Sequence, residues 1–378
     1  MEKIAIVLIA YNRVNAFRNV LLSLKRLETS DFPTDLIISL EYGSDKAIIE
    51  LANQMEWKLG KKRVVIHREK LGLRNHFIWA GNQTVEYNNI IFLEDDLYVS
   101  PFLLDNVQQL IEFYRSDAKV AGISLYAPAI CEFNATRFYP ICDEGDAFFL
   151  QHPYWGNVWQ REKWQDFIEW YKKGYVRNDK ILPIYVRNWK DTSFKVVYIQ
   201  YLIETGKYIV YPRVSLVDNC DIAGIHNIQN NSRTFGTVMQ MSLKKYTLLS
   251  LEESDSVYDA SFEISAEVLK RHNSILKEYD FQVDLKGTQD NYYKDYVLTY
   301  SDSRNSICSF REGCKPPENS ILLGLTNGHI KLIPTEKIKG NKKNKIWFDD
   351  FLNNNMNGNR YLLRYICEIM KLLINRIR

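Results

Sequence analysis

The chain has 378 residues, which exceeds one typical hydrophobic core and predicts either one large domain with appendages or two domains. Its net charge of +3 is close to balanced, so the overall charge does not favour nucleic acid as a partner. The sequence has no apolar run of about 20 residues and therefore predicts no membrane-spanning helix.

The 6 cysteines include no CxxC pair and are typical of free thiols in a reducing compartment. The apolar run 4–10 near the amino terminus is too short for the core of a signal peptide, and no small-residue cleavage site follows it. We therefore expect a cytoplasmic protein.

Residues 1–125 alternate strand and helix patterns. Runs such as 4–9 are apolar throughout, which is typical of parallel strands buried on both faces. The alternating order predicts an α/β fold whose mostly parallel sheet is flanked by helices. The predicted strands are 4–9, 36–40, 64–66, 90–93 and 120–124, and the predicted helices are 15–27, 45–57, 73–87 and 101–114. The last of these helices is predicted to begin at Pro101, with Ser100 as its N-cap.

The rest of the chain is less regular. From 126 to 235 the pattern loosens and Tyr, Trp and Pro become frequent, as expected for substrate-binding loops. Residues 240–340 combine a predicted helix at 261–278 with short strands such as 296–299. The sequence thus predicts a main domain at 1–235, a smaller α+β accessory region at 236–340, and a basic linker with a terminal amphipathic helix at 341–378.

Three consecutive acids, Glu94, Asp95 and Asp96, follow the predicted strand 90–93. Such acids repel one another and need a counter-charge when they are buried. The carboxyl end of a parallel strand is where open α/β sheets bind ligands. Carboxylate oxygens at that position suit Mg²⁺ or Mn²⁺, which in turn suit a substrate diphosphate. The alternative is a solvated acidic turn.

Other polar side chains follow neighbouring strands or open a helix. Arg13 follows the first strand and either reaches a phosphate or is solvated. Glu41 follows the second strand and can accept hydrogen bonds from a base or a ribose. Arg74 and His76 open the third helix, where an anionic ligand can bind, and a structural role for His76 is the alternative. Neither GxGxxG nor GxxxxGK[ST] is present, which argues against dinucleotide oxidoreductases and P-loop enzymes.

The first 125 residues resemble glycosyltransferases of the GT-A fold, most closely the N-acetylglucosaminyltransferase I type and its bacterial relatives. Four motifs in the family's order carry the resemblance. They are Asn12-Arg13 in place of Asp-Arg, the acid Glu41 after the second strand, the stretch from Arg74 to Ala80, and the stretch from Glu94 to Pro101. A weaker similarity to the family's Gly-x-Gly-Trp motif lies at 155–159.

The resemblance implies a metal-dependent glycosyltransferase that moves a sugar from a nucleotide donor, UDP-linked, to a saccharide or lipid-linked saccharide, with inversion. It implies Mn²⁺ or Mg²⁺ as the cofactor, bound by Asp96, because a cation neutralises the charge that grows on a departing diphosphate. The donor-side residues that it implies are Ala10, Tyr11, Arg13, Glu41, Arg74, His76, Glu94 and Asp95.

The acceptor side is less defined by the resemblance. The family has an Asp shortly before the Trp of its motif, and the nearest titratable group here is His152, which can act as a base at neutral pH. Asp143, Glu144 and Asp146 are alternative bases. A front-face mechanism that needs no base is a further alternative.

Three more residues have two interpretations each. Trp155 and Trp159 either stack on the acceptor or pack within the protein. His226 either contacts the metal or the diphosphate, as a late histidine does in bacterial sugar transferases, or is a structural loop residue.

The predicted tail helix has apolar positions framed by basic residues. Such a helix either lies on an anionic membrane surface or packs on the protein or on a partner. Membrane contact would fit a lipid-linked acceptor in bacterial surface polysaccharide synthesis at the inner leaflet. The alternative functions are a nucleotidyltransferase, which the lack of a Gly-rich loop after the first strand disfavours, and a non-catalytic carbohydrate-binding scaffold, which the intact acidic triplet disfavours.

Overall fold

The computed structural model describes residues 3–28, 30, 32–132, 137–219, 236–301 and 305–338, which form two compact units. The first unit comprises Met1–Pro128 and Cys142–Ala260. The second comprises Ala129–Ile141 and the described residues from Ser261 onward. The first unit therefore extends past residue 235, the predicted boundary. The predicted linker and tail helix at 341–378 lie outside the described residues.

The first unit contains most of the regular structure. Its strands are β1 Ile4–Ala10, β2 Thr34–Leu40, β3 Lys62–Ile66, β4 Asn89–Glu94, β5 Leu97–Val99, β6 Val120–Ser124, β7 Ala147–Leu150, β8 Asn157–Gln160, β9 Tyr208–Pro212, β10 Val217–Asn219 and β11 Val257–Tyr258. Its helices are α1 Val14–Leu24, α2 Lys46–Gln54, α3 Gly72–Gly81, α4 Leu103–Tyr114, α5 Arg161–Lys172, α6 Ile184–Arg187 and α7 Phe194–Thr205, with a 3-10 turn at Asn82–Val85.

Nine strands form one sheet in the order β11-β7-β9-β6-β8-β4-β1-β2-β3. Strand β1 pairs in parallel with β2 and with β4, and β2 pairs in parallel with β3. The predicted α/β class with a mostly parallel sheet is confirmed, and so are the five predicted strands. Strand β8 was not among the predicted strands, and it runs antiparallel between β4 and β6. This insertion brings the start of β8 to the same edge as the carboxyl end of β4.

The burial of these elements explains which of them the sequence reveals. Every residue of β1 is buried, as its apolar run predicts. Helix α1 buries Phe17, Val20, Leu21 and Leu24, whose spacing of three and four residues gives one apolar face. Helix α7, by contrast, is buried on nearly all sides over 196–202 and therefore has no amphipathic pattern for a sequence reading to detect.

The start of α4 differs from the prediction. The helix begins at Leu103, with Phe102 at the N-cap position, so Ser100 is not the N-cap. Ser100 instead stabilises the turn before the helix, because its hydroxyl accepts from the backbone N–H of Phe102 and donates to the Gln240 carbonyl at 2.5 Å.

The second unit has an α+β structure, as predicted for the smaller region. Its four-stranded sheet has the order β12-β13-β15-β14. The predicted helix 261–278 is in fact two short helices, because Asn273 adopts an extended conformation and its side chain accepts from the N–H of Ile275. The elements are α8 Ala266–His272, α9 Ser274–Lys277, β12 Phe281–Asp284, β13 Tyr296–Tyr300, β14 Cys308–Phe310, α10 Glu318–Leu322, β15 Ile330–Pro334 and a 3-10 turn at Thr335–Lys337.

The predictions about membrane-spanning helices and free cysteines can be compared with the structure over the described residues. None of the helices within them is long and apolar enough to cross a membrane. The cysteines within them, Cys131, Cys142, Cys308 and Cys314, are free thiols. Cys220 and Cys367 lie outside the described residues.

The contact between α3 and α5 predicts a stability change. A Cβ added at Gly81 would lie 2.1 Å from Cζ2 of Trp164, whose ring is only 1% exposed and has no room to move aside. We expect Gly81→Ala to lower the free energy of unfolding by about 1–3 kcal/mol, measured by urea denaturation. Gly313→Ala is the control, since a Cβ there meets nothing within 4 Å. Equal unfolding midpoints for both variants would contradict this packing.

Candidate functional site at the carboxyl edge of the sheet

The carboxyl ends of β2, β1 and β4 lie side by side because β1 is hydrogen-bonded to both neighbours. The register pairs Ala10 with Leu40 and Ile9 with Glu94. The residues that follow these strands, Arg13 and Glu41 among them, therefore extend from adjacent positions of one edge. This edge is where open α/β sheets bind their ligands.

Arg13 joins β1 to the acidic triplet. One end of its guanidinium group donates to Oδ2 of Asp96 at 2.6 Å, and the other end donates to Oδ1 of Asp95. Burial opposes the positive charge, but Asp96 and Asp95 together raise the pKa of Arg13 above its ordinary value. The arginine therefore supplies the counter-charge that the triplet requires.

Of the other two acids of the triplet, Asp95 is buried and Glu94 is half-buried. Burial first, and then the charge of Asp96, raise the pKa of the Glu94 carboxyl to about 8, against the opposing charges of Arg13 and Lys195. Burial also raises the pKa of Asp95 to about 6, although Arg13 and the backbone N–H of Tyr11 favour its ionised form. Without the nearby cations, Glu94 and Asp95 would be protonated more readily.

Asp96 differs from its neighbours because one of its oxygens is uncommitted. Its Oδ1 atom is buried and has no hydrogen-bond partner among the residues that the structure describes. No group of three His, Cys, Asp or Glu side chains within those residues has the arrangement of a metal site. One carboxylate oxygen still fits a divalent cation whose other ligands come from a substrate diphosphate and water, which is how Mg²⁺ is commonly held.

Two more predicted donor residues lie at the end of β1. The Ala10 carbonyl accepts from the N–H of Glu41 at 3.0 Å, and the Tyr11 carbonyl accepts from the N–H of Asp45 at 3.4 Å. The half-buried Tyr11 ring lies 5.7 Å from the ammonium group of Lys70. Main-chain contacts thus link the loop after β1 to the loop after β2.

Glu41 organises the start of α3. Its Oε1 accepts from the N–H groups of Tyr42 and Leu71, both at 2.9 Å, and its Oε2 accepts from the N–H of Gly72 at 2.8 Å. Burial works against ionisation, but these backbone donors lower the pKa of Glu41 below its ordinary value. The carboxylate therefore caps the helix that carries Arg74 and His76.

His76 belongs to a buried network that the sequence reading missed. The Ser39 hydroxyl bonds to Nε2 of His76 at 2.7 Å and to Nε2 of His67 at 2.9 Å. Burial lowers the pKa of His76 to about 4, and the nearby His67 lowers it further than Glu41 raises it. His67 directly follows β3, so a search for polar residues at every strand end would have found it.

Arg74 contacts residues outside the triplet. Its guanidinium group lies 5.9 Å from the Tyr175 ring and donates to the Ser193 carbonyl at 3.5 Å. Its Nε atom is buried and has no hydrogen-bond partner among the described residues. The structure thus places Arg74 beside the start of α7.

The acceptor-side motif lies next to β4 because β8 does. Gly156 has a φ of +64°, a conformation that glycine adopts most easily, and it turns the chain from Trp155 into β8. The Ser124 hydroxyl donates to the Trp155 carbonyl at 3.2 Å, which ties this turn to β6. Trp155 is half-buried, so its ring is partly accessible.

Trp159 has a different environment. Its side chain is 1% exposed and packs against Phe92, with ring centroids 5.2 Å apart, and against Trp164, with centroids 4.5 Å apart. It is a core residue in β8, so the geometry does not support the acceptor-binding role predicted for it.

His152 is fully buried among aromatic rings. Its ring centroid lies 4.8 Å from that of Tyr154 and 5.9 Å from that of Trp189. Burial, together with the charge of Lys195, lowers the pKa of His152 well below its ordinary value. The imidazole is therefore neutral, and it is enclosed by these rings and inaccessible to solvent.

The alternative bases lie at the start of β7. In the sheet order β7 is four strands from β4, which corresponds to roughly 19 Å at ordinary strand spacing. Asp143 pairs with Arg213, and Asp146 pairs with Lys244, both at 2.6 Å. Glu144 is exposed. The structure thus does not bring these acids to the triplet, and His226 lies outside the described residues.

Lys195 is a charged residue of this region that the sequence does not single out. It belongs to the first turn of α7, and its ammonium group lies 4.8 Å from the ring centroid of Tyr154 and 5.5 Å from that of Trp155. Its charge acts on both Glu94 and His152. The local sequence does not identify Lys195, because the nearest of these rings, Tyr154, lies far away in the sequence.

Comparison with known proteins gives only distant similarity. No protein-family model and no curated protein matches the sequence. The structure of S. aureus TarS 1-349 is similar over 55% of this chain and 57% of its own, with 12% identity and a TM-score of 0.36. The structure of GalNAc-T7 with UDP, GalNAc and Mn²⁺ is similar over 58% of this chain and 44% of its own, with 12% identity and a TM-score of 0.41. At such TM-scores these likenesses establish neither a family nor a substrate.

The buried His76 predicts a pH dependence of stability. Its pKa is about 4 in the folded protein against an ordinary value of 6.5, so between these pH values the unfolded chain binds the extra proton. The contribution of neutral His76 to the free energy of unfolding is fully present above pH 6.5. It is lost as the pH falls towards 4, and the total loss is up to roughly 3 kcal/mol.

We therefore measure the free energy of unfolding by urea denaturation at pH 7 and at pH 5. We expect it to fall less between these pH values in His76→Gln than in the wild type. His272→Gln is the control, because His272 is exposed on α8, and it is expected to retain the wild-type change. An unaltered pH dependence in His76→Gln would show that the buried imidazole is not the group responsible.

Proposed function

We propose that the chain is a GT-A glycosyltransferase that transfers a sugar from a UDP-linked donor to a saccharide acceptor with the help of a divalent cation. The observation that carries the proposal is the pairing of Arg13 with Asp95 and Asp96 where β1 and β4 end. This pairing leaves one buried Asp96 oxygen without a partner at the edge where such sheets bind nucleotides.

Asp96 is the residue that would hold the cation, Mn²⁺ or Mg²⁺. Bound there, a divalent cation supplies neutralisation of the negative charge that grows on a departing diphosphate. Asp95 keeps Arg13 in place, and Glu94 is the half-buried last residue of β4. The roles proposed here for the triplet are those that the sequence resemblance implies.

Arg13 contributes the second positive charge. Its guanidinium group is 27% exposed, so it is accessible to a phosphate while it remains hydrogen-bonded to the acids. A planar guanidinium group can donate to several oxygens at once, which suits a diphosphate. Arg13 thus orients the leaving group and disperses its charge.

The nucleoside end of the donor would lie towards β2 and β3. Glu41 holds the start of α3 in place, and the Ser39 network holds His76 neutral. A neutral imidazole can donate and accept a hydrogen bond, as a base or ribose requires. These residues orient the donor, while the acceptor would approach from the β8 side, next to Trp155.

The finer parts of the proposal follow from the sequence resemblance. They are transfer of a hexosyl or N-acetylhexosaminyl group with inversion, a saccharide or lipid-linked saccharide acceptor, and a role in bacterial surface polysaccharide synthesis at the inner face of the membrane. The proposal includes neither His152 nor the acids before β7 as the base, because His152 is enclosed and those acids are distant from β4.

The proposed activity predicts a specific product and a metal-dependent ligand effect. We expect a UDP-sugar to raise the melting temperature only when Mn²⁺ is present, because ligand binding to the native state stabilises it. Turnover is expected to release the nucleoside diphosphate. Release of pyrophosphate would indicate a nucleotidyltransferase, and stabilisation without any turnover across a panel of UDP-sugars and acceptors would indicate a non-catalytic carbohydrate-binding protein.

The role of Asp96 is tested by removal of its charge. We expect Asp96→Asn to lower Mn²⁺-dependent release of nucleoside diphosphate by at least about 100-fold and to abolish the Mn²⁺-dependent rise in melting temperature, since a positioned charge in such a site contributes several kcal/mol. Asp295→Asn, which removes an exposed aspartate of the second unit, is the control and is expected to resemble the wild type. Wild-type turnover in Asp96→Asn would refute the assignment.

A further inference from the structure

The side chain of Lys195 is enclosed by aromatic rings from two separate stretches of the chain. Its ammonium group lies 4.8 Å from the ring centroid of Tyr154, 5.5 Å from that of Trp155 and 5.6 Å from that of Trp189. Attraction between a cation and ring faces at such distances fixes the ammonium group in place. We call these four residues the lysine cage.

The lysine cage is partly open. Tyr154 is buried, whereas Trp155, Trp189 and Lys195 are each only partly buried. The cage is therefore partly accessible to solvent. Indole faces pack well against the apolar faces of sugar rings, and an ammonium group attracts an anionic substituent on the same sugar.

The helix that carries Lys195 strengthens the positive character of this place. Helix α7 has no acidic residue in its first turn, and the side chain of its N-cap residue, Ser193, makes no capping hydrogen bond. The helix dipole favours an anion at this end and disfavours a lysine. Arg74 donates to the Ser193 carbonyl and adds a third source of positive charge.

The lysine cage lies on the acceptor side of the proposed site. Trp155 leads through Gly156 into β8, which is the neighbour of β4. Arg13 approaches the triplet from β1, on the other side of β4. The two cations therefore approach the acids from opposite neighbours of β4.

We propose that Lys195, with Trp155 and Trp189, forms an acceptor subsite for a saccharide that carries a carboxylate or a phosphate group. The inference rests on the proposed function, and it adds the charge class of the acceptor. Lys195 acts as a specificity-determining residue: it binds the anionic group while the two indole rings contact the sugar. A neutral sugar of the same shape would keep the ring contacts and lose the charged hydrogen bond.

The test compares matched sugars on the full-length protein. Binding of glucuronate, galacturonate and glucose 6-phosphate is titrated by ligand-observed NMR, with glucose and galactose as the neutral counterparts. We expect at least one anionic sugar to bind about tenfold more tightly than its neutral counterpart, which is the effect of one charge-assisted hydrogen bond. A preference for the uronates identifies a carboxylate as the ligand, and a preference for the phosphate identifies a phosphoryl group.

Three variants test whether Lys195 is responsible for the preference for anionic sugars. Lys195→Met is expected to abolish it, and Lys195→Arg is expected to keep it because the charge remains. Lys190→Met is the matched control, since Lys190 is exposed and lies in the loop before the same helix, and it is expected to keep the preference. Circular dichroism and melting temperature establish that each variant is folded, and Lys195→Gln replaces Lys195→Met if the latter fails to fold.

Failure of this inference and failure of the proposed function give different results. Equal binding of anionic and neutral sugars, binding of neither class, or a preference that survives Lys195→Met would overturn the subsite. These titrations contain no donor nucleotide, so they do not depend on turnover. A chain that binds no UDP-sugar but still prefers anionic sugars through Lys195 would instead refute the transferase and retain the subsite.

Discussion

Arg13 donates to Asp95 and Asp96 at the edge where β1 and β4 end, and the arrangement of the whole edge depends on that pairing. Three adjacent carboxylates are costly to bury, because each loses its hydration and each repels the others. The parallel register that pairs Ile9 with Glu94 brings Arg13 across to the acids without any distortion of the sheet. The sheet thus supplies the counter-charge from the neighbouring strand, and the acids can remain where a ligand would need them.

The same pairing distinguishes the three acids from one another. Asp95 is committed to Arg13 and to the N–H of Tyr11, and the pKa of Glu94 is raised mainly by its burial. Asp96 also accepts from Arg13, but its second oxygen is left without a partner among the described residues. An oxygen that is already desolvated gains more from a cation than an exposed one does, because no water has to be displaced. This is the physical reason to assign the cation to Asp96.

How far the sequence predicts the structure depends on whether the relevant signal is local. Strands β1, β2 and β4 are predictable because parallel strands buried on both faces have continuous apolar runs, and the triplet is predictable because it follows such a run. Helix α7 is not predictable in the same way, since it is buried all round and has no helical periodicity. The roles of Trp155 and Trp159 also could not be separated from sequence, because the difference lies in which residue precedes β8 and which lies inside it. Lys195 could not be found at all, since its cage combines side chains from 154–155, 189 and 195.

The acids at the end of β4 have a cation on each side, so an anionic ligand can bind one cation while the other still offsets the charge of the acids. Arg13 reaches the triplet from β1 and Lys195 acts on it from the side of β8, so neither cation alone balances the acids. If a phosphate engages Arg13, Lys195 still offsets part of the buried negative charge, and the acids are not left uncompensated. If an anionic acceptor binds Lys195, Arg13 still offsets part of the negative charge of the acids from the side of β1. A site with both cations on the same side of β4 would not have this property, because any anion that engaged one would compete for the other.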